Sequence, residues 1–288
     1  MSNPKVLVTG AAGYLGRALR AALARRGIAA VGCDVAASGD LLGVDLADAD
    51  AATRLFAEVC PDVVIHAAAI LPRSAGDYGD DAQADLNLAM LRSVADAGSA
   101  RMVFVSSMTV YGEPVRNPVR ESDAAPLSSY ARSKYRGEGH LAEIGRDHVA
   151  PRLPGLFGLP RRNGLIGNVL RAALCGDTPT LPADPVVWSA MHVEDAAEVV
   201  VRLALTEVAQ GPISVGYPGV LSIDRFVALA EQLSGRDLPR GAAQPDFELD
   251  LGLAARFDAI PEATFESRVR DFARALANER QSEANHDR

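Results

Sequence analysis

Val6-Leu7-Val8-Thr9-Gly10-Ala11-Ala12-Gly13-Tyr14-Leu15-Gly16 is a short apolar run that closes in a glycine-rich turn. Beyond it Leu15, Ala18, Leu19, Ala22 and Leu23 recur at helical spacing, and Gly27 supplies a stop. A strand, a glycine turn and a helix in that order are what the pyrophosphate of a dinucleotide requires. Gly10 permits the tight turn, Gly13 lets the backbone approach the phosphates, and Gly16 lets the helix pack close to the strand. The helix start then offers N–H groups and the positive end of its dipole to the anion. This first unit sets the fold as α/β, and the rest of the chain repeats its rhythm.

Working outward, Ala29 to Cys33 reads as a second strand that ends at Asp34. An acid about 20 residues past the glycine turn is placed to accept hydrogen bonds from the adenosine ribose, and it repels a 2′-phosphate, so it selects NAD over NADP. Val44-Asp45-Leu46 reads as the end of a third short strand. Asp45 either reaches the adenine edge or serves an ordinary turn. A helix over 51–59 stops at Pro61-Asp62. Val63 to Ala69 then follows as a continuous apolar strand of the kind buried on both faces. The small residues Ala67, Ala68 and Ala69 suit close approach of a cofactor, and His66 reads as a satisfied histidine at a strand end.

A helix over 81–97 carries Asn87. The next buried strand, 102–105, runs into Ser106-Ser107-Met108-Thr109, and after a proline-bearing loop a helix starts at Ser128-Ser129. Tyr130 and Lys134 are four apart and share one face of that helix. The spacing predicts a strand over 148–153, loop through Pro154 to Gly164, helices over 165–175, 192–205 and 222–233, a strand over 213–215, and a last helix over 261–277. Strand and helix alternate throughout, so the expected architecture is a doubly wound parallel sheet with its ligand beyond the C-terminal strand ends.

Ser107 after a buried strand, with Tyr130 and Lys134 one turn apart, is a set for moving a proton. A free phenol has a pKa of ~10. Tyr130 therefore needs nearby positive charge, from Lys134 and an oxidised nicotinamide, to act as a base near neutral pH.

Composition limits the alternatives. The chain has 288 residues, 48% of them hydrophobic, which is ample for one large α/β core. Its net charge of −8 is the opposite of a nucleic-acid binder's footprint. No apolar run approaches the ~20 residues of a membrane span, and the N-terminus enters a strand directly, which reads as no signal peptide. Cys33, Cys60 and Cys175 are scattered, so neither a disulfide framework nor a zinc site is expected, and a cytoplasmic setting fits.

The motifs together resemble the extended short-chain dehydrogenase/reductases of the NAD-dependent epimerase/dehydratase family. The resemblance rests on Thr9-Gly-x-x-Gly-x-x-Gly16, Asp34, Asp45-Leu46, His66-x-Ala-Ala69, Asn87, Ser106-Ser107-x-x-Val-Tyr-Gly112, Tyr130-x-x-x-Lys134, Arg152-Leu-Pro-Gly-Leu-Phe-Gly158 and His192-Val-Glu-Asp195. It implies a Rossmann domain over 1–154, with 188–219 returning to it. A substrate lobe over 155–187 and 220–278 and a disordered tail over 279–288 complete the expected layout. Ser107, Tyr130 and Lys134 correspond to the family's catalytic residues. NAD would lie against Gly10, Gly13, Tyr14, Leu15, Gly16, Asp34, Asp45, Leu46, Ala67, Ala68, Ala69, Asn87, Tyr130, Lys134 and Pro154.

The activity so implied is epimerisation of a nucleoside-diphosphate sugar, in a homodimer without nucleic-acid or membrane partners. A one-way ketoreductase or dehydrogenase and a non-catalytic NAD-binding regulator stand as alternatives. Met108-Thr109 replace the Asp-Glu pair of the family's dehydratases, and neither shuttles the proton that elimination of water needs. Trp188 stands where sugar-nucleotide members often carry arginine, and Gly155 where they often carry asparagine. Ser107, Met108, Thr109, Arg161, Arg162, Asn163 and Arg240 are therefore the substrate candidates, and each of the last four is either a ligand contact or a solvated loop residue.

Overall fold

Strand β1, Val6–Thr9, lies in the middle of the main sheet, fully buried, with β2 (Ala30–Asp34) on one side and β4 (Val63–His66) on the other. All three are parallel and in register from Val6 opposite Ala30 and Val63 to Thr9 opposite Cys33 and His66. The computed structural model describes residues 4–74, 76–114 and 116–286. Beyond β2 comes β3 (Leu42–Gly43). Beyond β4 come β5 (Arg101–Phe104), β7 (His148–Leu153) and β10 (Gly211–Ser214), while the short β6 (Ser106–Ser107) also pairs with β7. A separate two-stranded sheet joins β8 (Gly155–Phe157) to β9 (Ala190–His192).

The period-2 alternation of the strands divides the core into two layers. Val6, Val8, Ile65 and Val103 face the layer that holds α1 (Tyr14–Arg25) and α6 (Val193–Leu205). Leu7, Val64, Met102 and Phe104 face the other, which holds α2 (Ala49–Val59), α3 (Asp81–Asp96) and α4 (Ser129–Glu143). The helices start where their caps dictate: Asp48, Asp80 and Ser128 each accept a hydrogen bond from a first-turn N–H. This is the expected doubly wound α/β fold. Among the described residues no helix is long and apolar enough to cross a membrane.

The remaining helices, α5 (Gly164–Cys175), α7 (Ile223–Ser234), α8 (Gly252–Arg256) and α9 (Phe265–His286), follow in the second half of the chain. Phe157, Trp188, Tyr217, Phe226, Phe265 and Phe272 form an aromatic cluster with ring centroids 5.8–6.3 Å apart.

Four expectations need correction. The stretch Pro154 to Pro160 is not all loop, because β8 pairs with a strand some thirty residues on, a non-local partner that local pattern does not reveal. The strand expected over Val63 to Ala69 ends at His66. The third strand ends at Gly43, short of Asp45 and Leu46. The tail from 279 is helical through His286 rather than disordered, and its last two residues lie outside the described residues. The apolar stripe of Phe265, Val269, Phe272 and Leu276 anchors that helix, and extending it adds one bond per residue without a new nucleus.

Candidate active site

The glycine turn is held by contacts that leave no room for side chains. A Cβ on Gly10, whose φ is +66°, would meet Ala68 N at 2.7 Å, and one on Gly16 would lie 2.1 Å from Gly10 O. Gly13 is the N-cap of α1 and offers no side-chain cap, and the first turn holds no acid of its own to claim its N–H groups. Asp34 closes the turn from β2. One of its carboxylate oxygens accepts from Ala12 N at 3.0 Å and the other from Val35 N at 2.9 Å. Each keeps a lone pair for a further donor. Tyr14 donates to Gly158 O at 2.6 Å, under the guanidinium of Arg161, and burial raises its pKa. Leu15 packs on the main core beside it.

The wall opposite is the segment after β4. Ala67, Ala68 and Ala69 are partly exposed there, and Ala68 N donates to Thr9 Oγ1 at 3.3 Å. The Thr9 hydroxyl also shares a hydrogen bond with His66 Nδ1 at 3.0 Å. Burial, helped by Lys134, pushes His66 down to about 3, so it is neutral. Asn87 is buried and clasps Ile70 at both ends of its amide, accepting from Ile70 N at 2.7 Å and donating to Ile70 O at 2.9 Å. Its place is behind the alanine wall, which it shapes. The carboxylate of Asp45 accepts from Ala47 N at 2.9 Å, the turn role, and the Leu46 side chain is buried in the core. Pro154 is buried directly after β7.

Ser107, Tyr130 and Lys134, the candidates for proton transfer, meet at the ends of β5 and β6. Lys134 donates to Val105 O at 2.9 Å, with its nitrogen 4.9 Å from the Phe104 ring centroid and 5.9 Å from that of Tyr130. Ser107 accepts from Thr109 N at 3.2 Å and from the Thr109 hydroxyl at 3.0 Å. Its hydroxyl hydrogen remains for Tyr130, whose pKa the contact with Ser107 lowers. Burial, reinforced by Tyr78 packed edge-on at 5.9 Å, nevertheless raises the Tyr130 phenol above its ordinary value. Burial also pulls Lys134 down to about 8, against the upward pull of Glu138.

The glycine turn, Asp34, the alanine wall and the Ser107–Tyr130–Lys134 set therefore share the C-terminal edge of the sheet. The substrate candidates are not gathered in the same way. Met108 is buried among Val110, Tyr111, Val119, Phe247 and Leu249, with Val187 against them. Arg161 donates to Asn163 Oδ1 at 2.9 Å, Arg162 pairs with Glu279 at 3.0 Å, and Arg240 pairs with Glu231. Trp188 packs on Phe226 and Phe265. Two polar groupings were missed in the sequence: Ser106, Glu138 and Arg152 behind the catalytic set, and Tyr217, Asp195 and Arg268 between α6 and α9. Glu138 was within reach, since it continues the spacing of Tyr130 and Lys134.

Comparison with known proteins agrees with this arrangement. The profile of the NAD dependent epimerase/dehydratase family matches residues 6–216. The chain is similar to a UDP-glucose 4-epimerase of Azospirillum brasilense, 30% identical over 280 residues that cover 83% of this chain and 80% of the relative. It is 33% identical over 161 residues to methionine adenosyltransferase 2 subunit beta of Pongo abelii, of which it spans only 48%, with 54% of this chain aligned. Among solved structures, UDP-glucose 4-epimerase from Brucella ovis in complex with NAD superposes with a TM-score of 0.79 at 26% identity, covering 96% of this chain and 98% of the other.

Proposed function

Because the chain belongs to the NAD dependent epimerase/dehydratase family, we propose that it is an epimerase of a nucleoside-diphosphate sugar, inverting a secondary alcohol carbon through a keto intermediate. The observation that carries this reading is the convergence of the Ser107 hydroxyl on the Tyr130 phenol, beside a Lys134 fixed to Val105 O, on the sheet edge that bears the glycine turn. The relative from Azospirillum brasilense is a UDP-glucose 4-epimerase, and the Brucella ovis structure contains NAD, which supports both substrate class and cofactor.

The residues fit NAD on physical grounds. The space a Cβ would fill at Gly10 is closed by backbone, the first turn of α1 is uncapped, and Asp34 has acceptor capacity to spare. The α1 turn would hold the pyrophosphate and Asp34 the adenosine ribose. Bound NAD supplies a hydride acceptor and, when oxidised, a positive charge that favours the phenolate.

Tyr130 takes the hydroxyl proton and returns it after the keto group has presented its other face. Its raised pKa makes positive charge necessary, and Lys134 contributes one such charge from a position no flexible stem can vacate, since its ammonium is bonded to Val105 O. When substrate binds, the Ser107 hydrogen turns from Tyr130 to the substrate oxygen and orients it, while both Ser107 lone pairs stay occupied by Thr109.

A specific observation favours a second reading, a one-way dehydrogenase or ketoreductase of a less charged hydroxy compound. Trp188 presents an aromatic wall, and Arg162 and Arg240 are drawn to acids. Incubation with NAD or NADH and a panel of sugar nucleotides and of uncharged hydroxy and keto compounds separates the readings. Product without net absorbance change at 340 nm supports the epimerase, net change supports the second reading, and NAD binding without turnover of any substrate overturns both in favour of a regulatory role.

A further inference from the structure

Tyr130 and Lys134 are followed, one helical turn on, by Glu138, so three side chains of α4 lie along one face. Each meets one of three consecutive residues after β5: Tyr130 meets the Ser107 hydroxyl, Lys134 the Val105 carbonyl at 2.9 Å, and Glu138 the Ser106 hydroxyl, which donates to it at 2.5 Å. Glu138 is itself gripped from β7. Arg152 Nε donates to Oε1 at 3.0 Å and Nη2 to Oε2 at 2.6 Å, in a pair whose side chains are 2% and 5% exposed. The rest of Arg152 is equally committed, to Glu121 O at 2.8 Å and over the Tyr111 ring at 5.0 Å. A buried ion pair of this kind adds little net stability, since desolvation offsets its attraction. Its cost is incurred directly behind the groups that move the proton.

We propose that Glu138 is a positioning residue for the reaction: anchored by Arg152, its carboxylate fixes Ser106 so that Ser107 meets Tyr130, and it serves as the counter-charge of the Lys134 ammonium. The proposal rests on the proton-transfer role given above to Tyr130 and Lys134. The surroundings of Lys134 leave this task to Glu138. Its own helix brings Tyr130 and Glu138, β4 brings the neutral His66, and β5 brings the Phe104 ring and Val105 O. The segment 76–79 brings Tyr78 against Tyr130, and β7 brings Arg152 behind Glu138. Among the described residues, Glu138 is the carboxylate that acts on Lys134.

The sequence allows a direct test, because it contains two lysines, the exposed Lys5 and the buried Lys134. Protein labelled with ¹³C at the lysine ε-carbon gives two resonances, and Lys5→Arg assigns them. The Lys134 midpoint is expected near 8 in the native chain. Glu138→Gln should lower it by about one pH unit or more. Glu138→Gln with Arg152→Gln, which leaves no buried guanidinium without its carboxylate, should lower it in the same direction. An unchanged midpoint in either folded variant overturns the counter-charge role. This titration needs neither substrate nor cofactor, so it is decided apart from the sugar-nucleotide reading. For the second role, Ser106→Ala should lower kcat by about tenfold or more with KM and NAD affinity held, and Ser106→Thr should restore most of it. A kcat unchanged in Ser106→Ala overturns the positioning of Ser107.

Discussion

Replacing Lys134 by methionine should destroy activity and stabilise the protein. Lys134 is 4% exposed, and burial brings its midpoint from 10.5 to about 8. At ~1.4 kcal/mol per pH unit, that displacement corresponds to a folding penalty of about 3 kcal/mol while the group is charged. Methionine has a similar unbranched stem and no charge to desolvate, but it forfeits the hydrogen bond to Val105 O and the approach to the Phe104 ring. Those losses together cost about 1–2 kcal/mol, so a net gain of about 1–2 kcal/mol remains at pH 7. For a chain of this size that is a rise in Tm of a few degrees, at roughly 2–4 °C per kcal/mol. The pH dependence makes the origin visible. Lys134 has a lower pKa folded than unfolded, so between about 8 and 10.5 the unfolded chain binds more protons and the native protein gains stability as pH rises. Below 8 the penalty is present in full. The advantage of Lys134→Met should therefore be greatest at pH 7 and shrink by pH 9.5. Thermal melts of both proteins at the two pH values decide the matter. A variant that is less stable than the native chain at pH 7, by an amount that does not change with pH, refutes the argument.

Three other outcomes are expected. Tyr130→Phe removes the phenol oxygen while the ring still packs on Tyr78, and should lower turnover by about 10²–10⁴ with NAD binding retained; activity within a factor of two of the native enzyme would exclude Tyr130 as the base. Asp34→Ser should narrow, and Asp34→Arg invert, a preference for NAD over NADP, because the carboxylate that accepts from Ala12 N and Val35 N would face a 2′-phosphate as a like charge; tighter binding of NADP by the unmutated protein in a titration contradicts this. Gly16→Ala gains up to ~1 kcal/mol of helix propensity, but its Cβ lands 2.1 Å from Gly10 O, backbone that has nowhere to move. It should lower Tm and abolish NAD binding together, and an unchanged melt would show that α1 can lift from β1 at no cost.

How far the sequence reveals the molecule depends on the range of the interaction concerned. The cofactor half is written locally. The glycines act within one turn, Asp34 answers Ala12 across neighbouring strands, and Ser222 caps α7 through Arg225 N as its position suggests. The continuous apolar strands could only be buried in a sheet covered on both faces. Legibility fails where a partner is remote or where one residue type has two local uses. Gly155 to Phe157 is too short to announce a strand, and its partner is β9. Asp45 could serve an adenine or a turn, and only the geometry at Ala47 N shows the turn use. Asn87 is assigned to the cofactor by resemblance alone, and local pattern does not show that its amide also bonds both ends of the Ile70 backbone.

The substrate candidates of the second half are opaque for a further reason, which concerns energies rather than distance along the chain. Arg162 and Arg240 each hold an acid partner, on α9 and α7, and both pairs are substantially exposed. Exposed pairs of this type are worth ~0–1 kcal/mol, whereas a charge-assisted bond to a phosphate is worth roughly 1.5–3 kcal/mol. A diphosphate within reach of either guanidinium would thus displace the carboxylate, and the pairing seen without ligand does not set the ligand-bound arrangement. Trp188 is different, because its ring is packed against Phe226 and Phe265 and no exchange of partners gives it a charge. It is a fixed apolar element, whereas the partners of the two arginines are exchangeable.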